Sequence, residues 1–199
     1  MVSDDRVLIV GMGYVGLPLA LSFVRGGVSV LGLDIDQSKV DALTNGTSYL
    51  GHIADEDIAQ AVATGRFEAT TDFTRCSEAD AVIIAVPTPL TKYRDPDLSY
   101  VTSTCERIAP HLKQGALVIL ESTTFPGTSA EVMKPILEAG SSLVVGETLD
   151  LAYSPEREDP GNADFGTQTI PKLVGGYTEA TTKRAVALYE RALDRVIAV

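Results

Sequence analysis

The chain has 199 residues but no tryptophan, only two cysteines and two histidines, and far less base than acid, with 16 Lys and Arg against 27 Asp and Glu. Each shortage excludes something. Cys76 and Cys105 stand far apart and outside any CxxC pattern, so they make no disulfide framework and read as reduced, mostly buried thiols. His52 and His111 have no neighbours at metal-ligand spacing, and no metal site is expected. A net charge of -11 with no basic stripe excludes nucleic acid as a partner, because that binding rests on Lys and Arg neutralising phosphates. A small anionic ligand stays open wherever local donors outweigh the global field. Long apolar runs are missing too: a stretch such as residues 81–86 is far too short to span a bilayer. The N-terminus carries Asp4 and Asp5 and lacks the basic and apolar regions of a signal peptide, so a cytoplasmic protein without membrane attachment is expected.

What is present is ordinary globular composition, 45% hydrophobic and 22% charged. A chain of this length buries on the order of 70% of its extended surface, enough for a core without staples. Continuous β-branched runs alternate with stretches of helical period. Residues 6–10, 28–33, 81–86 and 117–120 read as strands buried on both faces, with weaker candidates at 149–153, 172–174 and 195–199. Helices are expected over 17–24, 37–45, 55–64, 99–112, 128–138 and 178–193, several closed by glycine or opened after Pro-Gly. Strands alternating with helices imply right-handed crossovers. The expected fold is α/β, Rossmann-like and doubly wound, a mainly parallel sheet with helices on both faces, in one domain over residues 1–199. The chain closes on a strand with no polar tail, which points to a piece cut from something longer.

Gly11-Met12-Gly13-Tyr14-Val15-Gly16 is GxGxxG placed after the first strand and opening the first helix. Gly11 permits the tight turn, Gly13 lets backbone approach a pyrophosphate, and Gly16 allows close packing. The helix N-terminus adds unpaired N–H groups and the positive end of its dipole. Asp34 ends the second strand at the ~20-residue distance expected of the acid that accepts from the adenosine ribose diol. Together with Asp36 it would repel the extra phosphate of NADP, which favours NAD; the plainer reading makes Asp34 a solvated strand-end acid. Three loops then follow strand ends, Val86-Pro87-Thr88-Pro89, a run from Glu121 to Gly127, and one from Tyr153 to Gly161. Loops at strand C-termini line the ligand crevice of open α/β sheets, although Pro, Gly and hydroxyl residues also gather in turns for local reasons.

GYVGLPLA, AVPTPL, ESTTFPGT and YSPEREDPGN, in that order, resemble the N-terminal domain of the UDP-glucose/GDP-mannose dehydrogenase family over essentially the whole chain. The Lys92-Tyr93-Arg94-Asp95-Pro96-Asp97 stretch and the EREDPGN loop most resemble the UDP-N-acetylglucosamine 6-dehydrogenase branch. The resemblance implies oxidation of a UDP-sugar C6 alcohol to the uronate with two NAD, through a cysteine-bound thiohemiacetal and thioester. It implies that Gly11, Gly13, Tyr14, Val15, Gly16, Asp34, Lys39, Thr88 and Thr123 bind cofactor. It makes Thr123 and Glu156 the catalytic candidates, Thr123 ordering water near the reacting carbon and Glu156 assisting proton transfer or positioning water. Glu156 and Arg157 would also meet substrate, though Arg157 could simply pair with Glu158 and Asp159. The family's glycine-rich cysteine motif has no match here, so a catalytic cysteine, a central helix and a sugar-binding domain are expected to be absent, leaving the chain inactive alone. The whole enzyme would be a homo-oligomer and this chain a monomer. Two other readings stay open: a stand-alone NAD-binding or sensing module, and a domain of a related hydroxyacid dehydrogenase.

Overall fold

The computed structural model describes residues 6–155 and 171–199. The sequence of elements begins β1 (Arg6–Val10), α1 (Gly16–Arg25), β2 (Ser29–Leu33), α2 (Gln37–Thr44), α3 (Asp55–Ala63), β3 (Phe67–Thr70) and β4 (Ala81–Ile84). It continues α4 (Ser99–Ile108), β5 (Leu117–Leu120), α5 (Lys134–Ser141), β6 (Asp150–Tyr153), β7 (Lys172–Gly176), α6 (Glu179–Tyr189) and β8 (Val196–Ala198). The eight strands form one sheet in the order β3-β2-β1-β4-β5-β6-β7-β8. Every neighbouring pair is parallel except β6 and β7.

The continuous apolar runs explain the layering. Side chains alternate across a strand, so Val7 and Ile9 of β1, Ala81 and Ile83 of β4, and Leu117 and Ile119 of β5 enter one core with Leu17, Phe23 and Tyr189. Leu8, Val10, Val82, Ile84, Val118 and Leu120 enter the other with Val101, Ile108 and Leu137. Both cysteines lie in this second core. Burial pushes each thiol up to about 12, with the nearby charges of Asp72 and Glu106 adding to the shift in Cys76 and Cys105 respectively.

Several boundaries differ from the sequence reading. β3 lacks an apolar run because it is an edge strand with only Phe67 buried, so alternation gave no signal. The expected helix over 99–112 is α-helical only to Ile108; Pro110 offers no N–H, and Ala109–His111 is a 3-10 turn. The expected helix over 128–138 opens as a π-helical turn at Thr128–Met133 before α5, whose Pro135 has no N–H to donate to that turn, and it runs on to Ser141. α6 is capped by Thr178, whose hydroxyl accepts from the Thr181 N–H, and it ends at Tyr189. Among the described residues, no helix is long and apolar enough to cross a membrane.

Candidate functional site

The strand order reverses between β1 and β4: from β1 the chain passes to β2 on one side, and β4 lies on the other. Crevices of open α/β sheets form at such switch points. Here a cleft of about 180 Å³ is lined by Val15, by Ala85 to Thr88, and by Glu121 to Thr123. It therefore joins the start of α1 to the loops after β4 and β5. Those two loops are stitched together. Ser122 Oγ donates to the Val86 carbonyl at 2.6 Å, and Thr88 Oγ1 donates to the Thr123 carbonyl at 2.7 Å. Thr123 itself is exposed and Thr88 partly so. Two of the three loops singled out from sequence thus meet at one place.

The glycine loop has three distinct geometries. Gly11 has φ +97°, and a Cβ there would lie 2.6 Å from the Ala85 carbonyl oxygen. A Cβ on Gly16 would lie 1.9 Å from the Gly11 carbonyl oxygen, so the helix start sits directly on the loop. A Cβ on Gly13 would meet no protein atom within 4 Å. Open space above Gly13, beside the N-terminus of α1, is the room that a pyrophosphate needs. Tyr14 projects from this loop 69% exposed, and its ring stacks on His52, with centroids 5.5 Å apart and planes 12° from parallel.

Asp34 is buried, which overturns the picture of a solvated strand-end acid. Its Oδ2 accepts from the Met12 N–H at 2.9 Å and from Lys39 Nζ at 3.0 Å, and its Oδ1 accepts from the Asp36 N–H at 3.0 Å. One carboxylate thus ties the end of β2 to the glycine loop and to α2. Asp36 caps α2 through the Ser38 N–H, and hydrogen bonds from Ser38 hold its carboxyl below the usual carboxylate range, so it stays charged. Tyr49 donates its hydroxyl to the Met12 carbonyl. Burial, then the charges of Asp34 and Asp36, raise that phenol and keep its proton in place. Residues 47–54 therefore brace the glycine loop from outside, Tyr49 at Met12 and His52 at Tyr14.

On the far side of the cleft lies an unexpected polar cluster. Glu121 is fully buried and accepts from Lys172 and from the Tyr189 hydroxyl. Lys172 Nζ also lies 3.4 Å from the Pro155 carbonyl. Ser154 is fully buried, and its Oγ has no hydrogen-bond partner among the described residues. Tyr49, His52, Lys172 and Tyr189 were not foreseen as site residues. A lysine opening a strand and a tyrosine on an apolar helix face are the only traces of the last two in the sequence. Glu156 and Arg157 lie outside the described residues. No group of acidic, histidine and cysteine side chains suited to a metal occurs among the described residues.

The chain is 38% identical over 202 residues to the UDP-N-acetyl-D-mannosamine dehydrogenase of Escherichia coli strain K12, covering 96% of this chain and 47% of that protein. It is 33% identical over 191 residues to the UDP-N-acetyl-D-glucosamine 6-dehydrogenase of Pseudomonas aeruginosa, covering 96% and 44%. Among solved structures it is similar to an NDP-N-acetyl-D-galactosaminuronic acid dehydrogenase from Methanosarcina mazei Go1, with a TM-score of 0.91 at 38% identity over 99% of this chain and 44% of the other. The chain thus spans about half the length of the curated relatives that it matches. Residues 5–193 fit the model of the NAD-binding domain, and the chain belongs to the UDP-glucose/GDP-mannose dehydrogenase family.

Proposed function

We propose that this chain is the cofactor-binding part of an NAD-dependent 6-dehydrogenase that oxidises the C6 alcohol of a UDP-N-acetylhexosamine to the carboxylate, with two NAD reduced per turnover. The observation that carries the reading is the glycine loop at the switch point, open above Gly13 and tied by its Met12 N–H to the buried carboxylate of Asp34. The substrate class follows the relatives, whose names divide between UDP-N-acetylmannosamine and UDP-N-acetylglucosamine. The reading therefore stops at the N-acetylhexosamine and does not choose the epimer.

In this reading the pyrophosphate lies against Gly11, Gly13 and Gly16 at the start of α1, flanked by Tyr14 and Val15. Asp34 accepts from the adenosine ribose with Lys39 beside it. Asp34 and the ionised Asp36 set negative charge where NADP would bring its extra phosphate, which selects NAD. NAD, when bound, supplies the hydride acceptor. Thr88 and Thr123 flank its reacting end, and Thr123 helps to order water near the substrate carbon. Glu156 assists proton transfer or positions that water, and Arg157 meets the substrate phosphate. The covalent steps need a thiolate, and neither cysteine offers one, since both are buried with thiols raised to about 12. We place the nucleophile, and most of the sugar site, outside these residues. The whole enzyme is then a cytoplasmic homo-oligomer, and this chain alone an inactive monomer that binds neither nucleic acid nor membrane.

Isothermal titration of the chain with NAD, with NADP, and of Asp34→Ala with NAD tests the cofactor reading. Measurable NAD binding is expected, with NADP and the variant each weaker by about tenfold or more, equivalent to about 1.4 kcal/mol. Absence of NAD binding, or equal affinity for NADP, overturns it.

A further inference from the structure

Glu121, Lys172 and Tyr189 form a polar cluster closed off from water at the edge of the sheet where the parallel strands end. All three are more than nine-tenths buried. They come from separate elements: Glu121 follows β5, Lys172 opens β7 and Tyr189 closes α6. The bonds that unite them span 51 and 68 residues of sequence. Topology makes the meeting possible. β7 runs antiparallel to β6, with Tyr153 opposite Gly175, so the first residue of β7 falls at the edge where the parallel strands end. That is the edge of the cleft. Lys172 Nζ donates to Glu121, sits 3.4 Å from the Pro155 carbonyl and lies 5.6 Å from the centre of the Tyr189 ring.

Stability alone is a poor reason for this cluster. Withdrawing two charges from water is expensive, and a well-packed apolar group of equal volume often holds a core as well or better. What an apolar group lacks is direction. The ammonium fixes Glu121, which immediately precedes the cleft-lining Ser122 and Thr123. The same ammonium faces the carbonyl of Pro155, the last described residue before Glu156. We infer that Lys172 is a positioning residue that locks the Thr123 loop to the strand end leading to Glu156, through Glu121 on one side and the Pro155 carbonyl on the other. The inference rests on the roles proposed above for Thr123 and Glu156. Tyr189 completes the lock by occupying the second oxygen of Glu121.

The test compares wild-type chain with Lys172→Arg, which can make both contacts, and with the double variant Glu121→Gln/Lys172→Met. The double variant removes both charges together, so it avoids stranding one of them in the core and keeps a cooperative fold. Amide hydrogen exchange and NAD affinity are read on each. In the double variant, exchange at residues 121–125 and at Tyr153 and Ser154 should rise by about tenfold or more while residues 11–16 exchange as in wild type. NAD affinity should fall by about tenfold, because displaced loops misplace the reacting end of the cofactor. Lys172→Arg should stay within about threefold of wild type in both readouts. Wild-type exchange in the two loop segments, wild-type NAD affinity in the double variant, or a loss of protection spread evenly over the glycine loop and the helices overturns the inference. If the wild-type chain binds no NAD, the cofactor reading fails by itself, and the exchange comparison still decides whether Lys172 positions the loops.

Discussion

On its β1–β2 side the cleft is shaped by backbone groups gathered around the single carboxylate of Asp34, whereas on its β5–β7 side it is shaped by side chains paired in the core. The first arrangement is local. Residues 11–16 follow one another, and Asp34, Asp36, Lys39 and Tyr49 lie within one βαβ unit of them. The second draws its parts from β5, β7 and α6 and exists only once the sheet is complete. One side depends on φ angles and close approach. The other depends on charge pairing away from water. The two sides should therefore fail differently when altered.

Gly16→Ala should give the largest effect, because its Cβ would lie 1.9 Å from the Gly11 carbonyl oxygen and the backbone of the loop would have to move. A stability loss of about 3 kcal/mol or more is expected in urea unfolding, with NAD binding abolished. Gly13→Ala sharpens the contrast within the same six residues. Its Cβ meets no protein atom, so stability should change by no more than about 0.5 kcal/mol while NAD affinity falls by about tenfold or more. Equal loss of stability in the two variants would break the idea that Gly13 is reserved for ligand.

The glycine loop and Asp34 are legible in the sequence because their chemistry is fixed by order and spacing: a strand, three glycines, a helix, and an acid at the next strand end. The parallel sheet is legible for the same reason, since strands buried on both faces must be apolar throughout. Asp34 shows where such reading stops. It follows the second strand where the spacing places it, yet its burial and its bond to Met12 depend on how the loop folds back over β2. β3 escaped notice because an edge strand with one buried residue carries no pattern. The Glu121–Lys172 pair escaped because neither residue's neighbours in sequence hint at a partner 51 positions away.

Smaller effects are expected from the cysteines. Both thiols lie buried in the core that holds Leu8 and Val82 and should resist a thiol reagent such as DTNB at pH 8 until the chain is unfolded. Their folded values of about 12 exceed the unfolded value of about 8.5. The unfolded chain therefore loses these protons first. This contribution to stability is intact below the unfolded value and is lost as pH rises from about 9 toward about 12, which pH-dependent urea titration would detect. Rapid labelling of the native chain would show that this core is less closed than the sheet implies. The smallest effect belongs to Ser154→Ala. Its buried hydroxyl bonds to nothing among the described residues, so the variant should be neutral or more stable by up to about 1 kcal/mol in the same assay. A clear loss would mean that the hydroxyl has work to do on the β5–β7 side of the cleft.

The bonds already made by Asp34 bear on the cofactor role proposed for it. A carboxylate offers about four acceptor positions, and Met12, Asp36 and Lys39 together take three of them. In the cofactor reading proposed above, a ribose diol would bring two hydroxyls to this carboxylate, so one of the three donors would have to yield, and Lys39 is the one on a side chain rather than the backbone. Lys39 would in this sense be a resident competitor, and docking at this corner an exchange of one donor for another. Freeing a lysine side chain returns up to about 2 kcal/mol of rotamer entropy. On that reading, part of the affinity at the adenosine end would come from motion released in the protein.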